Sequence, residues 1–496
     1  MHIVWFKRDL RVVDHQALHT ASQYGPVMPL YIIEPALWSQ PDLSYRQYAF
    51  LKDCLHDLNQ ALSLLGQPLI IRVGQAADVL ADLIKTHGVR AVWSHQETWN
   101  HWTYQRDIIV KKKLNQLHIP WHEPCQNGVI RCLKDRNGWA RRWYSTMKQT
   151  PFVSPSLQPI KIPSDPLPTP ESLGLIDDDC PFRLRGGRQV GLKTLHAFLY
   201  ERGMHYTKAM SSPVTAFESC SRLSPYFAFG CLSIREAFQQ AEQRQQTLNQ
   251  YPSEQKKLWS SALRSFTGRL RWHCHFIQKL EDQPDIELHN LHKMYDQLRQ
   301  PPQNTKYLSA WQNAATGFPM IDACMRALKA TGWLNFRMRA MLMSFASYHL
   351  WLHWREPALF LARLFVDYEP GIHYSQVQMQ SGTTGINSIR IYNPIKQSQD
   401  QDPEGIFIRQ WLPELKDVPN EGIHTPWIYP ESMNGYPHPI IDEKKARTTA
   451  ASQLYGLRKN KAHRSQSQHI VKKHASRRPQ RKKPPHASSQ QNELPL

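Results

Sequence analysis

The sequence has eight cysteines but no C-x-x-C pair. That spacing excludes a zinc ribbon and a disulfide framework, and it offers nothing for an iron–sulfur cluster. Scattered thiols fit a reducing, cytoplasmic setting. No apolar run of about 18 residues exists, so no membrane span is expected. The closest stretch, Met341–Trp354, is interrupted by Ser344, Ser347, His349 and His353. Met1–Phe6 runs straight into Lys7, Arg8 and Asp9, so no signal peptide is expected. A G-x-G-x-x-G loop is also missing, which excludes an ordinary dinucleotide site.

What is present is basic. The 496 residues carry 61 Lys and Arg against 41 Asp and Glu, a formal charge of +20. Residues 444–496 hold 14 of the basic residues and one acid, Glu493, and so +13 of that charge; the rest of the chain holds +7. A polyanion such as DNA is the expected partner, and the question divides between body and tail. A 41% hydrophobic fraction can bury a sizeable core, and the length suggests two or three domains. Most of the 16 tryptophans are read as core and interface residues.

In the first 125 residues, short apolar β-type runs (His2–Phe6, Val27–Ile33, Leu69–Val73, Ala91–His95, Ile119–His122) alternate with segments of helical periodicity (Tyr45–Leu65, Ala76–Thr86, Thr103–Leu117). This alternation predicts a doubly wound parallel sheet, with ligands at the carboxyl ends of its strands. Eight prolines between Pro151 and Pro181 predict a long linker. From Gly191 the signal is almost wholly helical. The expected organisation is an α/β domain over 1–130, a linker over 131–190, an all-α domain over 191–430, and a basic, disordered tail over 431–496. The tail is either a solvated, solubilising end or an arm for nucleic acid. The run Arg131, Lys134, Arg136, Arg141, Arg142, with Trp139 and Trp143, could meet DNA or pack at the domain junction.

Three segments of the helical part carry groups with no obvious core role. In Glu218–Tyr226, Ser224 is expected to cap a helix with Pro225 at its first position; with Ser221 and Arg222 this end would attract an anion. In Gly332–Arg339, Arg339 begins an apolar helix and needs a partner, for which Asp367 is the natural candidate. The third segment, Ser381–Gly385 followed by Ile389–Pro394, is loop-like and suited to close backbone approach. Residues alone point to a large anionic cofactor.

Taken together these segments resemble the DNA photolyase/cryptochrome family. The matching runs are Trp5–Arg11, Ser221–Tyr226, Thr316–Arg326, Gly332-Trp333, Trp354-Arg355-Glu356, Asp367-Tyr368-Glu369 and Arg390–Leu415, in order over about residues 1–430. The resemblance implies an antenna-type α/β domain and a helical domain holding FAD. It implies that Ser221, Arg222, Leu223 and Ser224 form a phosphate-binding turn, with Cys220 in place of the usual Thr. It places Arg269, Tyr206, Trp333 and Phe336 near the cofactor, makes Arg339 and Asp367 an ion pair beside the flavin ring, and sets Asp367 and Glu369 facing the flavin. The protein's part is positioning and electrostatics. A second, antenna chromophore such as a folate or deazaflavin is expected near His95–Asn100, after a strand end.

The sequence also departs from the family pattern. Ser265 and Gly268 stand where dimer-repairing members have a Glu and a Trp. Asn335-Phe336 replaces a His-Asn pair, and Asn335 and Ala340 stand at the two histidine positions of the (6-4) enzymes. His373 takes a position commonly Asn, facing flavin N5, where a ring titrating near neutrality could donate a proton; the plainer reading is a backbone hydrogen bond. Of three tryptophans in the usual electron route only Trp354 remains, with Val377 at the inner site and the outer one near Pro301. A rerouted chain through Trp272, Trp333, Trp351 or Tyr374 is expected. His373, Asn335 and Trp354 are the catalytic candidates. The implied function is light-driven repair of pyrimidine dimers in DNA. The alternative is a cryptochrome-type photoreceptor that signals to a protein partner.

Overall fold

A computed structural model describes residues 1–299 and 303–475 of the chain. Five strands, β1 (His2–Phe6), β2 (Val27–Ile33), β3 (Ile70–Val73), β4 (Ala91–Trp93) and β5 (Trp121–His122), form a parallel sheet in the order β3-β2-β1-β4-β5. Helices α1 (Tyr45–Leu64), α2 (Ala76–His87) and α3 (His101–Gln116) cross between strands. β1 is buried along its whole length because both faces of the sheet are covered, which explains its unbroken apolar run. The doubly wound expectation holds, to within two residues at most strand ends. Two short helices, Gln16–Ser22 and Pro35–Trp38, lacked an apolar stripe long enough to be read.

The segment expected as linker contains helix α4 (Trp139–Met147) and the first turn of a helix at Arg188–Ala197, and otherwise runs without regular elements, apart from one turn at Glu171–Leu173. Trp139 and Trp143 are buried. Trp139 donates to Gln278 Oε1 at 3.2 Å, and Arg136 pairs with Asp282 at 3.1 Å. Arg131 and Arg136 therefore pack at the domain junction with the two tryptophans, while Lys134, Arg141 and Arg142 are exposed.

The helical part is built around α5 (Ser253–Asp282), with α6 (Phe336–Ser344), α7 (Arg355–Leu364) and α8 (Pro370–Gln380) beside it. A Cβ at Gly371 would lie 2.6 Å from Ile277 Cα, so glycine is what lets α8 lie directly on α5. One hydrophobic core runs through both the sheet's inner face and the helices.

The tail boundary moves. Residues 431–442 pack on the body, with Met433 and Tyr436 buried. Then α9 (Glu443–Arg458) and α10 (Lys461–His474) form two regular helices where none was expected. Their caps explain them: Asp442 accepts from Lys445 N–H, and Asn460 from Ala462 N–H. Arg477–Lys483 and the remainder of the tail lie outside the described residues, as does Pro301. Among the described residues, no helix is long and apolar enough to cross a membrane.

Candidate functional site: a cofactor cavity in the helical domain

Helices α5, α6 and α8 enclose a cavity of about 1100 Å³, at the upper end of the range for sites that bury a drug-sized ligand. Tyr206, Ser221, Arg222, Ser224, Arg269, Trp333, Asn335, Phe336, Arg339, Asp367, Glu369 and His373 all line it. Thus the structure gathers nearly every expected site residue around one cavity, although they come from segments more than 150 residues apart. Two do not reach it. Leu223 is fully buried beneath the turn and is the residue at the N-cap position of the short helix Ser224–Ala228. Ser224 is therefore the first helical residue and not the cap, and no side chain caps this end. Trp354 is also wholly buried, behind the wall.

One end of the cavity is cationic. Arg222 has a left-handed backbone (φ 55°), a strained state for this residue type, and its guanidinium stacks 4.1 Å above Phe217. Its Nε is buried without a partner. Arg269 and the hydroxyls of Ser221 and Ser224 share that end. Burial pushes the Tyr206 hydroxyl up to about 12.

The middle of the wall carries the expected ion pair. Arg339 Nη1 and Nη2 reach Asp367 Oδ1 and Oδ2 at 2.9 and 2.8 Å, a bidentate fork, and Nε donates to Leu334 O at 2.6 Å. The backbone fixes this geometry. Gly332 adopts φ 69°, and a Cβ there would lie 2.5 Å from Val366 Cγ2. Val366 N–H donates to Gly332 O at 3.0 Å, which clamps the Asp367 loop beside α6.

Glu369 behaves differently from Asp367. Burial is the main cause that pushes its carboxyl up to about 8, with Arg8 opposing. Oε1 is buried without a partner. The two acids are thus one carboxylate and, at neutral pH, one neutral carboxylic acid that can donate a hydrogen bond. His373 is neutral too: burial pulls it down to about 4, and Nε2 lies 2.9 Å from Ala358 O. The neutral ring's single proton is engaged by that carbonyl. The plainer reading of His373 is the one the geometry supports, and the ring has no spare proton to donate. Asn335 Nδ2 donates to Met210 O and Ser211 O, at 3.1 and 2.8 Å, leaving the amide oxygen as the group it can offer.

Trp354 Nε1 donates to Asn290 Oδ1 at 2.7 Å. Its ring meets Tyr374 edge-on with centroids 6.1 Å apart, and Tyr374 meets His373 at 5.1 Å and Tyr368 at 6.4 Å. Tyr368 and His373 both line the cavity. A continuous aromatic path therefore joins Trp354 to the cavity through Tyr374. Tyr368, missed in the sequence, also donates its hydroxyl to the buried Asp42 at 2.8 Å. Only its place inside Asp-Tyr-Glu could have marked it. Trp351 instead lies under Arg299, 4.6 Å away.

Gly268 stands in the interior of α5, and a Cβ there would meet nothing within 4 Å. Gly268→Ala is expected to raise stability by about 0.5–1 kcal/mol, as helix glycines cost roughly that much; urea denaturation checks it.

Residues Gln96–Trp99, expected to hold an antenna chromophore, line a cavity of about 50 Å³ between the domains. That is room for a few waters. The crevice at the ends of β1 and β4 is filled by the protein itself: Asp9 Oδ2 lies 2.7 Å from His95 Nδ1 and 2.9 Å from His15 Nε2.

A sheet domain joined to a helical domain, with a deep cavity cationic at one end and ion-paired at its centre, defines a binder of a large anionic cofactor. Comparison with known proteins specifies it. Residues 2–161 match the family model for DNA photolyase, and residues 266–455 that for the FAD binding domain of DNA photolyase. The chain is 30% identical to deoxyribodipyrimidine photo-lyase of Vibrio cholerae, over 90% of this chain and 97% of that protein. It is 29% identical to cryptochrome-2 of Arabidopsis thaliana, over 91% of this chain and 78% of that protein. The crystal structure of a class III photolyase from Agrobacterium tumefaciens superposes with a TM-score of 0.79 at 26% identity, covering 92% of this chain and 98% of that one. The protein belongs to the DNA photolyase/cryptochrome family and binds FAD. The unpartnered polar atoms on the cavity wall, Arg222 Nε, Glu369 Oε1 and Gln376 Oε1, fit a cofactor with both anionic and hydrogen-bonding groups.

Proposed function

We propose that the protein is a blue-light-driven photolyase-type enzyme that acts on a pyrimidine photoproduct in DNA. Bound FAD supplies the light absorption and the one-electron chemistry. Arg222, Arg269, Ser221 and Ser224 would hold the diphosphate, and the Arg339–Asp367 pair would sit against the ring system. Neutral Glu369 would offer a hydrogen-bond donor, and neutral His373 would leave the charge of the site unchanged. The observation that carries the reading is the cavity itself: besides this cradle it is lined by Trp272, Lys279 and Arg390. A cationic, aromatic lining suits a nucleotide flipped from its stack.

A second reading, a photoreceptor signalling to a protein partner, is favoured by one observation: Gly268 opens on empty space, where a dimer-repairing member would present a ring. The test is direct. The FAD-loaded, reduced protein is illuminated with oligonucleotides carrying cyclobutane or (6-4) lesions, single- and double-stranded. Restored bases in any of them support the enzyme. Failure with all, together with a light-dependent change in protease protection, supports the receptor.

Trp354 is proposed to feed electrons toward the cavity through Tyr374. Trp354→Phe is expected to slow the bleaching of oxidised flavin under blue light by about tenfold or more, equivalent to at least ~1.4 kcal/mol of barrier. A wild-type rate would remove Trp354 from the route.

A further inference from the structure

We propose that the small cavity between the two domains is a water-filled proton inlet, which carries protons from solvent to the Glu369 carboxyl and so to the wall of the cofactor cavity. The inlet rests on the binding of FAD alone and would serve a repair enzyme and a photoreceptor alike. The two cavities are neighbours: Phe227, His273 and Glu369 line both, and so form the partition between them. Phe227 has no proton to pass. Burial pulls the His273 ring down to about 4, so it is neutral. Glu369 is the acid of the partition, at the N-cap position of α8, and its Oε1 is buried without a partner. The other carboxyl of the small cavity, Glu97, is engaged by Arg106, and Asp367 in the large cavity by Arg339.

The small cavity suits water. It lies at the carboxyl ends of β1, β4 and β5, which bring Arg8, Gln96, Glu97, Gln126 and Asn127 to it. A buried water needs two to four polar partners, and this lining offers them. The Arg8 guanidinium is held between Trp99 and Phe229, 4.1 and 4.4 Å away, and its Nε donates to Ala228 O at 2.8 Å. Arg11 is tied to Gly230 O at 3.0 Å and to Asp14 O. These fixed cations define the inner end of the cavity. At the outer rim Gln96, Gln126 and Asn127 are half-buried and Cys125 is exposed, so the cavity reaches solvent there.

A neutral carboxyl can pass a proton through the partition. It gives its own proton to an acceptor on the cofactor side and takes another from a water on the other side. One proton moves, no electron moves, and Glu369 ends as it began. A relay works best when its acid titrates near the working pH. Burial pushes Glu369 up to about 8, and the Arg8 charge opposes the shift, which keeps the proton both present and releasable near neutrality. Charge that develops in a buried site is costly unless it is neutralised, so a proton supply on this wall complements a cofactor whose chemistry moves single electrons.

The test follows the carboxyl itself, by infrared spectroscopy of full-length, FAD-loaded protein in the dark. The protonated C=O band of Glu369 is the one that Glu369→Gln removes, and it shifts when deuterium replaces the proton. On dilution into D2O the wild-type band is expected to shift within the mixing time, ahead of the backbone amides of α8. Val129 lines the small cavity, and Val129→Phe puts a ring into it. This variant is expected to slow the shift about tenfold or more, toward the rate of local opening. Gln126→Met, a milder change at the rim, is expected to slow it less. Flavin absorbance per chain should be wild-type in both. A wild-type rate in Val129→Phe, or in Gln126→Met where the bulkier variant does not fold, overturns the inlet, because the proton then arrives from the large cavity. Exchange no faster than that of the α8 amides, or the absence of the band, also overturns it. The readings fail separately: rapid exchange that Val129→Phe blocks leaves the inlet standing in a protein that repairs no lesion, and repair by a protein without the inlet leaves the enzyme standing.

Discussion

Arg339→Ala is expected to destabilise the protein by about 3 kcal/mol or more and to release FAD during gel filtration. Both consequences follow from Asp367. Its side chain is almost fully buried, and Arg339 satisfies both of its oxygens through the fork at 2.8–2.9 Å. Without the guanidinium a buried carboxylate is left with no counterion, and that loss exceeds anything the ion pair itself adds. The Arg339 side chain is 24% exposed, so water already screens part of the pair, which holds the estimate at the low end of the range for buried pairs. The guanidinium also packs 4.1 Å over Phe365, so truncation opens a gap in the cavity wall as well.

Two further variants separate the structural part from the binding part. Arg339→Lys keeps the charge but loses the fork and the flat face over Phe365, so an intermediate loss is expected. The double variant Arg339→Met, Asp367→Leu removes both charges and is expected to regain much of the stability, yet not the FAD. Urea denaturation and flavin absorbance per chain read the two effects. Stability of Arg339→Ala within about 1 kcal/mol of wild type would show that Asp367 finds water or another cation, and that the pair does not hold the wall.

That pair was legible in the sequence, because a guanidinium at the start of an apolar helix demands an acid and Asp367 ends another apolar run. The sheet was equally legible, since strands buried on both faces read as unbroken apolar runs. Protonation states were not. Glu369 and His373 look like an acid and a titratable base in sequence, and only burial by segments distant in the chain makes both neutral. The contact that engages His373 Nε2 was hidden for the same reason: Ala358 O comes from α7, which no local pattern places beside α8. The start of the tail was misplaced on composition. Its basic, polar residues hide a sparse helical pattern, Ala450 and Leu454, then His463, Ile470 and His474, all buried. Asp442 and Asn460 marked both starts, and reading those caps would have found α9 and α10. Histidines doing the work of apolar residues are what concealed the face: His463 stacks on His292 at 4.1 Å.

Glu369→Gln is expected to flatten the pH dependence of stability and to make the protein more stable than wild type at alkaline pH. The Glu369 carboxyl titrates at about 8 in the fold, against an ordinary value of 4.5. Between those values the folded chain holds a proton that the unfolded chain has released. Stability from this group is therefore complete below about pH 4.5, declines as pH rises, and is gone above about pH 8. At about 1.4 kcal/mol per pH unit, a buried group shifted this far contributes on the order of 5 kcal/mol across the window. Glutamine keeps the shape and a hydrogen-bond donor but cannot ionise. The two proteins should match below about pH 4.5 and diverge steadily up to about pH 8, with the variant above. Asp322, at about 6, and Glu287, at about 7, also slope the wild-type curve, so the difference between the proteins is the quantity to follow. Denaturation midpoints of FAD-loaded protein at half-unit pH steps supply it. Parallel curves would mean that Glu369 is ionised in the folded chain and is held by Arg8 as an ion pair, and the neutral donor assigned to the cofactor wall would then have to be withdrawn.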